Sequence, residues 1–157
     1  MRLDFTEDLM KKSVKSIGVI GAKSAQEVEK LLGRGIEFLW KPTSFLGVEK
    51  AEFFHGFVPP EIVEQCSLRN GSIEEVSVIK AKKDIPMHSH YDPRFRLGEI
   101  YVGGDGGMVQ LWGKQGAMLK MKKHIFSITY PGESHSLTLL DDCKEIRFLA
   151  IKFSLTE

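Results

Sequence analysis

An excess of either charge is missing from this sequence. Its 22 Lys and Arg residues stand against 21 Asp and Glu, a formal net charge of +1 over 157 residues. That balance leaves no electrostatic footprint for nucleic acid or for an anionic lipid surface, and neither partner is expected. Cysteine is scarce. Cys66 and Cys143 stand far apart, outside any CxxC or Cys-rich setting, which argues for reduced thiols in a cytoplasmic protein. No apolar run approaches the roughly 20 residues that span a bilayer, and the opening MRLDFTEDLMKKS lacks the apolar segment of a secretion signal. Repeats, low-complexity tracts and Pro/Gly linkers are absent too. What is there is 42% hydrophobic composition, enough for one compact domain with a core of its own.

The chain changes character along its length. KSAQEVEKLLGRG carries a helix signature: Ser24 as cap, Glu27 as its capping-box partner, and Gly33 as the stop. Val28, Leu31 and Leu32 give that helix one apolar stripe. A weaker helical signal covers roughly residues 6–14, and a short helix is expected in PPEIVEQC, where Pro60 suits the first turn. From Asn70-Gly71, a strong turn signal, the period switches to strands. SIEEVSVIKA, EIYV, GMVQLW, AMLKMK, HIFSITY, SLTLL and EIRFLAIKF are short, evenly spaced and joined by Gly-rich or Asp-Asp turns. GIEFLW and KAEFFHGF are expected to add strands ahead of them. The fold class predicted is all-β, a small antiparallel barrel or sandwich with helices in the N-terminal third. The expected division is a helical segment at 1–34 packed on a barrel at 35–157.

Only five histidines are present, and two of them stand one residue apart in PMHSHYDPRFRLGEIYVGG, from Pro86 to Gly104. On a strand, His88 and His90 share one face about 6.6 Å apart. An ion above the intervening Ser89 would contact both. Glu99, opening the next strand, is the natural third ligand, and His135 in YPGESHS the fourth. Three imidazoles and a carboxylate suit one divalent transition metal: Fe, Mn, Co, Ni or Zn. An isolated His-x-His pair is more often plain polarity than a ligand set, and the ordered arrival of Glu99 and His135 is what reverses that weighting. His55 and His124 have no such partners and are read as structural.

HSH, a spaced Glu, a glycine-rich turn and then PGESH resemble the two characteristic motifs of the cupin superfamily. The resemblance covers roughly residues 36–153 and matches His88, His90, Glu99 and His135 to the family's metal ligands by position. It implies a jelly-roll barrel, and a homodimer in which exposed edges such as GIEFLW are covered. Departures are visible: YDPRFRLG lengthens the first motif, and Pro131 adjoins Gly132 in the second. RLGEIYVGGDGGMVQLWG, ITYPGESHSLTLL and EIRFLAI further resemble the core of the archaeal cupin-type glucose-6-phosphate isomerases, whose Glu-x-Tyr-Val matches Glu99 and Tyr101.

That likeness implies a metal-dependent aldose–ketose isomerase acting on a small carbohydrate-like substrate. Glu99 would then move the proton, with Tyr101 as the second catalytic candidate. Tyr101 has the parity of Glu99, and both substrate contact and core packing stay open for it. Arg94 and Arg96 are either solvated loop charges or the substrate-binding pair that captures a phosphate. Gln110 and Trp112 share a parity and either line the cavity or fill it. VGGDGG lacks the following helix and Lys-Ser/Thr of a phosphate loop and reads as a hairpin. The alternatives are a non-haem iron dioxygenase on the same ligands and a non-catalytic cupin that binds a small ligand.

Overall fold

The computed structural model describes residues 17–33, 37–52, 58–89, 96–104, 107–112, 117–130 and 132–155, with the backbone alone at 96, 112 and 117. Eleven strands and two helices occur among them. In chain order these are β1 (Ile17–Val19), α1 (Ala22–Leu32), β2 (Lys41–Pro42), β3 (Val48–Glu52), α2 (Pro60–Leu68), β4 (Gly71–Ala81) and β5 (Ile85–His88). They continue with β6 (Arg96–Val102), β7 (Met108–Trp112), β8 (Ala117–Lys120), β9 (Ile125–Thr129), β10 (His135–Leu139) and β11 (Ile146–Leu155). One sheet runs β1-β9-β6-β11-β4-β3-β2 and the other β5-β10-β7-β8, with every pairing antiparallel. From β4 to β11 the chain passes back and forth between the two sheets. That exchange is jelly-roll topology. No helix among the described residues is long and apolar enough to cross a membrane.

Strand parity decides what each face meets. On the central strand β11, Leu149, Ile151 and Phe153 point to one side and are fully buried with Val28 of α1 and Ile62 of α2. Phe148, Ala150 and Lys152 point to the other side, into the space between the sheets. A strand covered on both faces reads as a nearly continuous apolar run, which is why IRFLAIKFSL shows little alternation. The large sheet therefore carries two cores, one under the helices and one inside the barrel. Gly98 on β6 permits the first: a Cβ there would lie 2.4 Å from Cζ of the buried Phe153 ring.

Three expectations are revised. Ser24 is not the cap of α1, because the helix begins at Ala22 after Gly21. Its N-terminus is instead capped from α2: the Gly21 N–H and the Ser24 hydroxyl, at 2.7 Å, both donate to the Glu61 carboxylate. Glu27 consequently turns outward to Lys30, 3.7 Å away. Residues 37–40 of GIEFLW form no strand, whereas Ile17–Val19, read within the helical segment, pairs with β9. The turn read at Asn70-Gly71 is present, closing α2 and leading into β4 with Asn70 at φ of 53°, a left-handed conformation that asparagine tolerates. The helix expected at 6–14, His55 and the turn at 113–116 lie outside the described residues.

Glu61 yields a stability prediction. Burial alone would raise its carboxyl, but the hydrogen bonds from Gly21 and Ser24 outweigh that and hold it below the ordinary 4.5. A depressed carboxyl stabilises the fold above its unfolded-state value and loses that contribution as pH falls through the folded-state value. Glu61→Ala should cost about 1 kcal/mol at neutral pH, the usual worth of a helix cap. Below 4.5 the gap between wild type and variant should narrow. Urea unfolding at both pH values checks this, and an unchanged gap would contradict the capping account.

Candidate functional site

The antiparallel pairing of β10 with β5 sets His135 directly opposite His88. Their ring centroids stand 4.3 Å apart, and the Phe45 ring lies tilted against that of His88 with centroids 4.7 Å apart. Parity on β6 turns Glu99 and Tyr101 toward the same interior space, a cavity of about 320 Å³ that His88 also lines. His135 is fully buried, and Glu99 and Tyr101 are buried beside it.

His88 Nδ1 lies 2.7 Å from the Pro86 carbonyl and His135 Nδ1 3.3 Å from the Glu133 carbonyl. A carbonyl only accepts, so in each contact Nδ1 is the donor. This is how metal-binding imidazoles are oriented by their surroundings. The Tyr101 hydroxyl donates to Glu99 Oε2 and also lies 2.9 Å from His135 Nε2. The phenol thus bridges the Glu99 carboxylate and the His135 ring. Burial first, and then the charge and hydrogen bond of Glu99, push the Tyr101 phenol well above its ordinary 10.0. Tyr101 is therefore a neutral donor throughout the physiological range.

Among the described residues, no three His, Cys, Asp or Glu side chains stand close enough to hold an ion by themselves. His90 and Arg94 lie outside those residues, as does the side chain of Arg96. The structure therefore brings His88, Glu99, Tyr101 and His135 together. His124 is exposed in the turn before β9. Gln110 is fully buried, donates to Thr129 Oγ1 at 3.3 Å and accepts from Ser127. That ties it to the strand positions paired with Glu99 and Tyr101. Three charged residues of the cavity escaped the sequence reading: Lys50, Glu75 and Lys152. Only Lys152, set in the apolar run FLAIKF, carried a local signal; Lys50 in VEKAE and Glu75 in SIEEV sit among other charges.

No protein-family model matches the sequence, and no curated protein matches it either. Solved structures do. A Pseudomonas putida prolyl-4-hydroxylase superposes with a TM-score of 0.61 at 14% identity, over 90% of this chain and 92% of its own. The collagen prolyl hydroxylase of Paramecium bursaria Chlorella virus-1 gives 0.58 at 13%, over 91% and 97%. A Burkholderia pseudomallei oxidoreductase of the 2OG-Fe(II) oxygenase family gives 0.54 at 13%, over 88% and 84%. The fold shared with them is an antiparallel jelly roll. Within that fold, β5 and β10 are neighbours of the smaller sheet and β6 faces them from the larger. Residues far apart in the chain meet between them.

Proposed function

We propose that this chain is a metal-dependent aldose–ketose isomerase acting on a small sugar phosphate in the cupin cavity. The observation that carries this reading is the buried Tyr101 hydroxyl, shared by Glu99 and His135 beside His88. The donor chemistry fits a divalent transition metal: two facing imidazoles with Nδ1 engaged by carbonyls, to which the sequence adds His90 two residues after His88. A cation on His135 Nε2 would also leave the phenol proton wholly to Glu99. Bound there, it would polarise a substrate carbonyl or hydroxyl as a Lewis acid.

Aldose–ketose exchange moves a proton between adjacent carbons and needs no oxidant. Glu99 suits that task, being a buried carboxylate whose position is fixed by a neutral donor. The Tyr101 bond favours Glu99 as the proton carrier over Glu99 as a full metal ligand. Tyr101 keeps its own proton and holds the carboxylate toward the cavity. Phe45, Ile79 and Phe148 line the remaining wall, and their apolar surface limits water around the reacting carbon.

A non-haem iron oxygenase is the second reading, favoured by the fold shared with two prolyl hydroxylases. It would use the same residues, His88, His90, Glu99 and His135, as iron ligands. Anaerobic incubation of aldose phosphates with Mn, Fe, Co, Ni or Zn tests the first reading, and ketose should form without oxygen. Iron-dependent oxygen uptake with no ketose would replace it by the second.

A further inference from the structure

We infer that Lys50 and Lys152 form a paired-ammonium corner of the cavity that docks an oxyanion carried by the substrate, either a phosphate ester or a carboxylate. This rests on reading the cavity as the substrate site. Both lysines line it together with His88, Glu99 and Tyr101. They arise on different strands, β3 and β11, and converge on Glu75 of β4. Lys50 Nζ lies 3.2 Å from Glu75 Oε1, and Lys152 Nζ lies 3.5 Å from Oε2. An ammonium has three donors, so a shared carboxylate aims the pair without exhausting it. Glu52 also approaches Lys50, at 3.3 Å, and is 59% exposed. Two ammonium groups thus meet at one shared carboxylate on the cavity wall.

Stability is a weak reason for such an arrangement, since partly exposed ion pairs contribute little. Yet Lys152 interrupts the most continuously buried strand of the protein. Burial alone would lower the Lys50 ammonium, but its contacts with Glu75 and Glu52 hold it above its ordinary 10.5, so it stays charged. Position matters as well. Lys152 is the direct cross-strand partner of Glu99, and neighbouring strands lie about 4.8 Å apart. An oxyanion held by the lysines would thus sit a few bonds from the atom that Glu99 addresses. The cavity of about 320 Å³ has room for a molecule on the order of ten non-hydrogen atoms, taking ~30 Å³ for each water-sized unit. A small sugar phosphate or sugar acid fits that description, and a neutral polyol has no use for the lysines.

Calorimetric titration of the chelator-treated protein with inorganic phosphate, gluconate and neutral sorbitol tests the inference. At least one anion should bind and sorbitol should not. Lys50→Met and Lys152→Met, each keeping the apolar stem, should weaken anion binding about tenfold apiece, the worth of a charge-assisted hydrogen bond. Lys152→Arg should bind within about threefold of wild type, because it restores the charge. Phosphate binding alone would assign a phosphate ester, and gluconate binding alone a carboxylate. Wild-type protein that ignores both anions, or Met variants that bind as wild type does, would overturn the proposal. Metal content, measured on protein that has not met chelator and after reconstitution, keeps the two claims apart. A protein that holds metal but no anion loses this inference alone, and one that binds the anion but never metal loses the metal-centred reading alone.

Discussion

Replacing His135 with alanine is expected to strip the metal from the protein while the barrel stays folded. His135 is fully buried between β5 and β7, its Nδ1 is engaged by the Glu133 carbonyl, and its Nε2 faces the cavity group. Loss of an outer partner of a metal-binding imidazole costs about 10–100-fold in affinity, so loss of the imidazole itself should cost at least about 100-fold. Alanine offers no substitute donor. His88→Ala should behave in the same way, since its ring stands 4.3 Å from that of His135, and so should His90→Ala. His124→Ala is the control, because His124 is exposed at the start of β9, away from the cavity. Elemental analysis and far-ultraviolet circular dichroism on each variant read metal and fold separately. Metal lost from His124→Ala but kept by His135→Ala would show the second motif to be misassigned.

Tyr101→Phe should leave metal in place and lower kcat by about 10²–10⁴-fold, the range of a positioned acid–base group. Phenylalanine keeps the ring, and with it the packing against His135 at 5.7 Å and Phe148 at 5.5 Å. What it removes is the hydroxyl that fixes Glu99. The effect should fall on kcat with little change in KM, as for a group that acts on the reacting centre. Glu99→Gln should show the same separation, with metal retained and turnover lost. If Glu99→Gln loses metal as His135→Ala does, Glu99 is a ligand first and a base second. Full turnover in Tyr101→Phe would remove the catalytic pairing altogether.

Much of this was legible in the sequence because strand parity is a local property. Glu99 and Tyr101 differ by two residues and so had to share a face. The same arithmetic was applied to His88 and His90, but β5 ends at His88 and His90 lies outside the described residues; β4 and the strands from β6 to β11 announced themselves by their spacing. What could not be read was any relation set by register between distant strands. Lys152 faces Glu99 and Glu75 only because β11 lies between β6 and β4, and no local pattern encodes that order. The cap of α1 failed for the same reason. Ser24 and Glu27 formed a good capping box on paper, but Glu61 arrives from α2, 37 residues beyond Ser24, and takes the helix end first. GIEFLW had strand-like composition yet forms no strand at 37–40. Phe38 and Trp40 instead pack edge to face at 5.3 Å against the helix-side core, so aromatic content served packing there rather than pairing.

The central claim is that His88 and His135 belong to a metal centre, and metal stoichiometry tests it most directly. Protein purified without chelator, or reconstituted with Mn, Fe, Co, Ni or Zn and desalted, should carry about one transition-metal ion per chain, released by chelation. Elemental analysis finding none after reconstitution with any of the five would contradict the account.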